Sequence, residues 1–208
     1  AYAMTEASHQ MCSNPVGNNA KRKPGSVGIP QGVEVTILDD DGNPTTLGEV
    51  CIRGDNVTNG YLNNPEANAK SFTQPGNWFR TGDQGYFDED SYLVLTGRIK
   101  ELINRGGEKI SPLELDAVLL QHPGVAEAVS FGVDDEIYGQ EVNVAVVPKN
   151  NDAGKALTED GIVKFMQENV AKFKVPKKVY IADSLPRTAT GKIQRRVVAE
   201  HFLSKQTL

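Results

Sequence analysis

Along residues 32–38 the chain reads Gly-Val-Glu-Val-Thr-Ile-Leu, an alternation of apolar and polar positions that predicts a half-buried strand. The segment Asp39-Asp40-Asp41-Gly42-Asn43-Pro44 then supplies a turn, and residues 48–54 a second strand. A calcium loop is excluded at the triple Asp, because the ligand spacing and the distal Glu are wrong. Asn64-Pro65 predicts a short helix with Asn64 as its cap and Pro65 at its first position. A strand pair follows at 85–87 and 92–95, joined by Asp88-Glu89-Asp90. After Gly97 helices and strands alternate. Ser111-Pro112-Leu113-Glu114 is a capping box that opens a helix to about Gln121. Residues 126–133 and 142–147 are apolar, β-branched runs, and 178–182 reads as another strand. Between Thr158 and Val170, the residues Ile162, Phe165, Met166 and Val170 recur at helical spacing and form a core stripe. A last helix is expected over 193–203. The pattern predicts an α+β protein: a strand-rich, distorted barrel-like part over 1–96, polar and loop-rich at its start, then a small α+β domain over 97–208.

Composition narrows this little. The 208 residues are 38% hydrophobic and 24% charged, ordinary for a globular chain that buries one large or two small cores. A net charge of −5 excludes a general electrostatic footprint for nucleic acid. The basic cluster Lys192, Arg195 and Arg196 reads either as a phosphate site or as a solvated helix face. Cys12 and Cys51 form neither a disulfide framework nor a paired metal spacing, and Cys51 reads as a small core residue. No apolar run approaches the length of a membrane span, and no signal peptide is visible. The ending Ser204-Lys205-Gln206-Thr207-Leu208 is not a peroxisomal address, so a cytoplasmic location is expected.

Four blocks concentrate residues suited to chemistry. They are Tyr2-Ala3-Met4-Thr5-Glu6, Arg80-Thr81-Gly82-Asp83, the run from Gly97-Arg98-Ile99-Lys100 through Asn104-Arg105-Gly106-Gly107-Glu108-Lys109-Ile110, and Leu185-Pro186-Arg187-Thr188-Ala189-Thr190-Gly191-Lys192-Ile193-Gln194-Arg195. In this order they resemble the late motifs of the acyl-adenylate-forming enzymes: acyl-CoA synthetases, plant coumarate ligases, firefly luciferase and peptide-synthetase adenylation domains. The resemblance covers essentially the whole chain. Relatives carry a Ser/Thr/Gly-rich phosphate loop upstream of the Tyr-x-x-Thr-Glu block, which is not found here. The chain is therefore expected to be the carboxyl-terminal part of a longer enzyme, inactive when separated from an upstream portion of the same protein.

The resemblance implies an ATP- and Mg²⁺-dependent acid–CoA ligase that forms an acyl-AMP and then a thioester with coenzyme A. It implies that Lys192 reaches the α-phosphate and the substrate carboxylate, where a flexible ammonium suits charge that shifts between oxygens. A surface lysine at a helix start is the plain alternative. Tyr2 corresponds to the aromatic position against adenine, Thr5 to an α-phosphate contact and Glu6 to the magnesium ligand. Asp83, expected on a turn made by Gly82, corresponds to the carboxylate that accepts from both ribose hydroxyls, and Arg98 to a further ribose contact. Lys100 corresponds to the hinge about which a carboxyl-terminal lid rotates between the two half-reactions. Gly107 corresponds to the glycine beside the pantetheine arm, and an ordinary turn also accounts for Gly106-Gly107.

Tyr-Ala-Met-Thr-Glu-Ala-Ser-His, together with Asn-Arg-Gly-Gly-Glu-Lys-Ile-Ser-Pro, is similar to the plant and fungal oxalate–CoA ligase branch. His9 would then pair with the distal carboxylate of a small carboxylic diacid, with a polar loop histidine as the alternative. Two other functions stay open: an adenylation module that loads another acid or a carrier protein, and a non-catalytic nucleotide-binding fragment.

Overall fold

The computed structural model describes residues 1–189 and 191–204, so Thr190 and the terminal 205–208, on which the targeting reading drew, lie outside it. Two compact units divide the chain, Ala1–Lys100 and Glu101–Leu208.

In the first unit β1 (Tyr2–Met4) and β2 (His9–Ser13) form a hairpin, and β2 also pairs with β3 (Ile29–Pro30). A second, antiparallel sheet runs in the order β4 (Glu34–Leu38), β5 (Gly48–Arg53), β6 (Phe79–Phe87) and β7 (Leu93–Arg98). A bridge from Gly28 to Leu93 links the two sheets. Among the described residues these sheets do not close into a barrel. Gly28 is required here: its φ is +94°, and a Cβ would lie 1.9 Å from the Ser13 carbonyl carbon. Tyr2, Met11, Cys12, Val33, Ile37, Val50, Ile52, Phe79 and Leu93 build the core from every strand but β3.

The turn at 39–44 closes on Asp39, whose Oδ1 accepts from the N–H groups of Asp41 and Asn43. Helix α1 (Pro65–Ser71) is capped by Asn64, which accepts from Ala67 N–H, and it buries none of its residues. Its caps and the Glu66–Lys70 pair support it in place of a core face. One expectation fails: Gly82 and Asp83 lie inside β6, not on a turn. Gly82 takes φ +76° and kinks the strand without ending it, which hid a nine-residue strand from the hydrophobic pattern.

In the second unit β8 (Ile103–Arg105) and β9 (Glu108–Ile110) make a hairpin, followed by α2 (Pro112–Leu119), β10 (Val125–Asp135) and β11 (Gly139–Pro148). A short α3 (Asp152–Lys155), α4 (Glu159–Asn169), β12 (Lys178–Ile181) and α5 (Arg195–Ser204) complete it. The sheet centres on β11, which pairs antiparallel with β10, antiparallel with β8 at Gly139, and parallel with β12. Alternation along the strands serves two faces. Val142, Val144 and Val146 of β11 pack with Val179, with Leu115 and Leu119 of α2, and with Ile162 and Met166 of α4. Ala145, Val129 and Phe131 face Leu185 and the Val198 and Phe202 of α5. The helix caps are those the sequence offers: Ser111 accepts from Glu114 N–H, and Thr158 from Gly161 N–H.

Candidate active site

The first unit gathers Tyr2, Asp83 and Arg98. Asp83 and Arg98 are register partners on β6 and β7, while β1 brings Tyr2 from the start of the chain. The Tyr2 hydroxyl donates to Asp83 Oδ2 at 2.5 Å, and Arg98 Nε lies 3.2 Å from Asp83 Oδ1. Burial, then the bond to the Asp83 carboxylate, pushes the Tyr2 phenol far above its ordinary value, so it remains a donor. Beneath the carboxylate, Asp83 N–H donates to Thr81 Oγ1 and the Thr81 hydroxyl donates to the Val50 carbonyl. Glu49 bridges Arg80 and the Gly82 N–H at 2.7 and 2.9 Å, holding the kink. Each Asp83 oxygen thus has one partner, and a carboxylate with about four lone-pair sites keeps capacity for two more donors. Arg98 is 69% exposed in its side chain, so its ion pair is a weak, screened one. Tyr2 itself is buried among core residues, with its hydroxyl end committed to Asp83.

Thr5, Glu6 and His9 sit on the connection between β1 and β2. A single 3-10 turn, Thr5–Ala7, is followed by Ser8 and His9 at φ +47° and +88°. Two consecutive non-glycine residues in the left-handed region carry strain, of the kind that concentrates at functional turns. Thr5 and His9 are exposed. Glu6 is held from below: Tyr61 donates its hydroxyl to Glu6 Oε1 at 2.9 Å, and Thr58 N–H donates to the Glu6 carbonyl at 2.7 Å. Burial, with help from Glu6, raises the Tyr61 phenol above its usual value. Nothing in the polar run around Tyr61 announced this contact. Among the described residues no group of three or more His, Cys, Asp or Glu side chains could hold a metal ion. Glu6 suits a cation that brings its other ligands with it.

In the second unit Lys192 lies on the connection between β12 and α5. Arg187 and Ile193 pair as an antiparallel bridge. Thr188 N–H donates to the Lys192 carbonyl at 2.8 Å, Lys192 N–H to Thr188 Oγ1 at 3.1 Å, and Gly191 N–H to the Thr188 carbonyl at 2.8 Å. Gly191 adopts φ +80°, which closes the turn. Leu185 and Ile193 anchor either end in the core, leaving the Lys192 side chain exposed, without an ion pair among the described residues. The neighbouring basic residues are not a phosphate cluster. Arg195 is largely covered and bonded to Asp116, Glu101 and the Ser130 carbonyl, and Arg196 pairs with Glu200.

Gly106 and Gly107 are the two central residues of the β8–β9 hairpin, at φ +59° and +89°. A two-residue hairpin loop with both residues at positive φ accounts for the pair on local grounds. A Cβ at Gly107 would meet no atom within 4 Å. Gly107 and Lys192 lie on different connections of this unit. Lys100 is the last residue of the first unit, in a 3-10 turn, Ile99–Glu101. No helix among the described residues is long and apolar enough to cross a membrane.

Two family models match the chain: the AMP-binding enzyme over residues 1–62 and the AMP-binding enzyme C-terminal domain over 114–192. The chain is 64% identical to a probable CoA ligase, CCL9, of Humulus lupulus over 99% of its own length and 39% of that protein. It is 62% identical to an oxalate–CoA ligase of Saccharomyces cerevisiae over 97% of its length and 37% of that protein. Among solved structures, O-succinylbenzoate coenzyme A synthetase from Bacillus subtilis, in complex with ATP and magnesium ion, matches with TM-score 0.79 and 33% identity. That match covers 95% of this chain and 40% of that one. The chain thus spans about two fifths of the length of the relatives it matches. The motif order, the placement of their residues on an α+β frame and the two matching models lead to one conclusion: this chain belongs to the AMP-binding enzymes.

Proposed function

We propose that the protein to which this chain belongs is an ATP-dependent acid–CoA ligase of the cytoplasm, and that its acid is oxalate. The observation that carries the reading is 62% identity, across 97% of the chain, to an oxalate–CoA ligase. The geometry supports the role of each residue. Asp83, pre-oriented by Tyr2 and backed by Thr81, binds the ribose diol through its spare lone pairs, and Arg98 swings to the same sugar. Tyr2 also borders the adenine. Thr5 contacts the α-phosphate, and Glu6, fixed by Tyr61, adds one carboxylate to a magnesium ion that the nucleotide carries in. Lys192, exposed and without an ion pair among the described residues, neutralises the charge that builds as the acid attacks the α-phosphorus and pyrophosphate leaves. For the second step the lid turns about Lys100, and Gly107 leaves room for the pantetheine arm of coenzyme A. His9, exposed on the strained turn, takes the second carboxylate of the diacid.

The test uses protein from the complete reading frame, assayed for pyrophosphate release with oxalate, malonate, coumarate and a fatty acid. Oxalate-dependent release is expected, and Lys192→Ala should abolish it while sparing thioester formation from added acyl-AMP. Release with another acid alone would reassign the substrate. Equal loss of both half-reactions in Lys192→Ala would remove the role of the lysine.

A further inference from the structure

Lys192 can act only if its exposed side chain starts from a fixed point. Its turn is closed internally by Thr188, but those bonds hold the turn to itself and not to the domain. Beyond the apolar anchors Leu185 and Ile193, two arginines on either side add polar attachments to the domain. Arg187 donates Nη2 to both oxygens of Glu127 at 2.7 and 2.8 Å, with side chains 46% and 37% exposed, so solvent screens the pair and it holds little.

Arg195 is different. Its side chain and that of Asp116 are each only 13% exposed, while Glu101 is 43% exposed, so the Glu101 arm is the weaker, partly screened one. Nη1 donates to Asp116 Oδ2 at 2.9 Å and to the Ser130 carbonyl at 2.6 Å, and Nε donates to Glu101 Oε2 at 3.2 Å. Asp116 Oδ1 in turn accepts the Ser130 N–H at 2.6 Å. One rigid planar fork therefore fastens the first residue of α5 to α2, to β10 and to the residue that follows Lys100. A lysine ammonium placed where Nη1 lies could still meet Asp116 and the Ser130 carbonyl, but it has no second nitrogen to hold Glu101.

We propose that Arg195 is a positioning residue for Lys192, and that Glu101 orients it, so that the lysine turn moves as one piece with the segment leaving the hinge. The inference rests on the proposed roles of Lys192 and Lys100. Removing the charge outright would leave Asp116 buried without a counterion and threatens folding. The decisive variants are therefore Arg195→Lys, which keeps the charge, and Glu101→Gln, which keeps the contacts to Asp116 and Ser130.

In the full-length protein, Arg195→Lys is expected to lower kcat of the adenylation half-reaction by about tenfold to a hundredfold, since a displacement of about an ångström can cost about a hundredfold. The KM values for ATP and acid, and thioester formation from added acyl-AMP, should hold within about twofold, because ground-state binding and the second step do not use Lys192. Glu101→Gln should give the same selective loss at smaller size, without lowering the melting temperature. Should Arg195→Lys fail to fold, Glu101→Gln alone decides by the same criterion. Unchanged adenylation, or parallel loss of both half-reactions, would overturn the assignment. Lys192→Ala run alongside separates the two ideas. If it kills adenylation while Arg195→Lys does not, only the positioning role fails, and if it spares adenylation the proposed role of Lys192 itself fails.

Discussion

The phenol of Tyr2 donates a 2.5 Å hydrogen bond to the carboxylate of Asp83, joining residues 81 positions apart. Both are 8% exposed. The bond ties the opening strand to the kinked strand β6 and sets which lone pairs of Asp83 point outward.

Tyr2→Phe keeps the ring and removes the donor, leaving a carboxylate oxygen in a nearly closed site. Such a loss costs about 1–3 kcal/mol. Lower thermal stability is expected, together with a several-fold rise in KM for ATP and little change in KM for the acid. Calorimetry and pyrophosphate exchange measure these, and an unchanged KM for ATP would show that Asp83 needs no help from Tyr2.

Two adjacent leucines offer a sharp contrast in the second unit. Leu119 is wholly buried, whereas Leu120, at the end of the same helix, is 47% exposed. Leu119→Ala should destabilise the unit by about 2–5 kcal/mol through lost transfer energy and a cavity between α2 and α4. Leu120→Ala should stay within about 0.5–1 kcal/mol. Urea midpoints compare them directly, and similar values would mean the helix end is misplaced.

Acid stability can be traced to Asp135. Lys177, and next the N–H groups of Tyr138 and Ile137, hold its carboxyl at about 2, down from an ordinary 3.8. A carboxyl lowered by folding contributes stability that is complete above the unfolded value and disappears as pH falls through the folded one. Between pH 4 and pH 2 the wild type should therefore lose stability that Asp135→Asn never had. The two unfolding midpoints should converge on acidification, and parallel curves would count against the pairing.

Much of this was legible because the signals were local. Asn64-Pro65, Ser111-Pro112 and Thr158 declare their helices through hydrogen bonds made within three residues. The stripe through Ile162 and Met166 fixes the buried face of α4 by period alone. The β6 strand was cut short because Thr81-Gly82-Asp83 looks like a turn, and only cross-strand partners in β5 and β7 keep it extended. In the sequence Arg195 reads either as part of a phosphate site or as a solvated helix face, and Tyr61 carries no signal. Their partners, Asp116 and Glu6, lie 79 and 55 residues away, a separation that no periodicity encodes. The motif residues Asp83 and Lys192 stood out by their company along the chain, while the groups that hold them did not.

Strand β11 has a consequence for how the protein is made. Its valines at 142, 144 and 146, with Ala145, have no exposed surface in the folded unit, and one edge of the strand is covered by β12. The long hairpin with β10 forms from neighbouring sequence and protects one edge at once. The other edge waits for a parallel partner that leaves the ribosome only after α3 and α4. During that interval the nascent chain displays an apolar, β-prone edge of the kind that recruits chaperones or other chains. Slow translation through α3 and α4 would lengthen the exposure, and substitutions that weaken β12 would make it permanent.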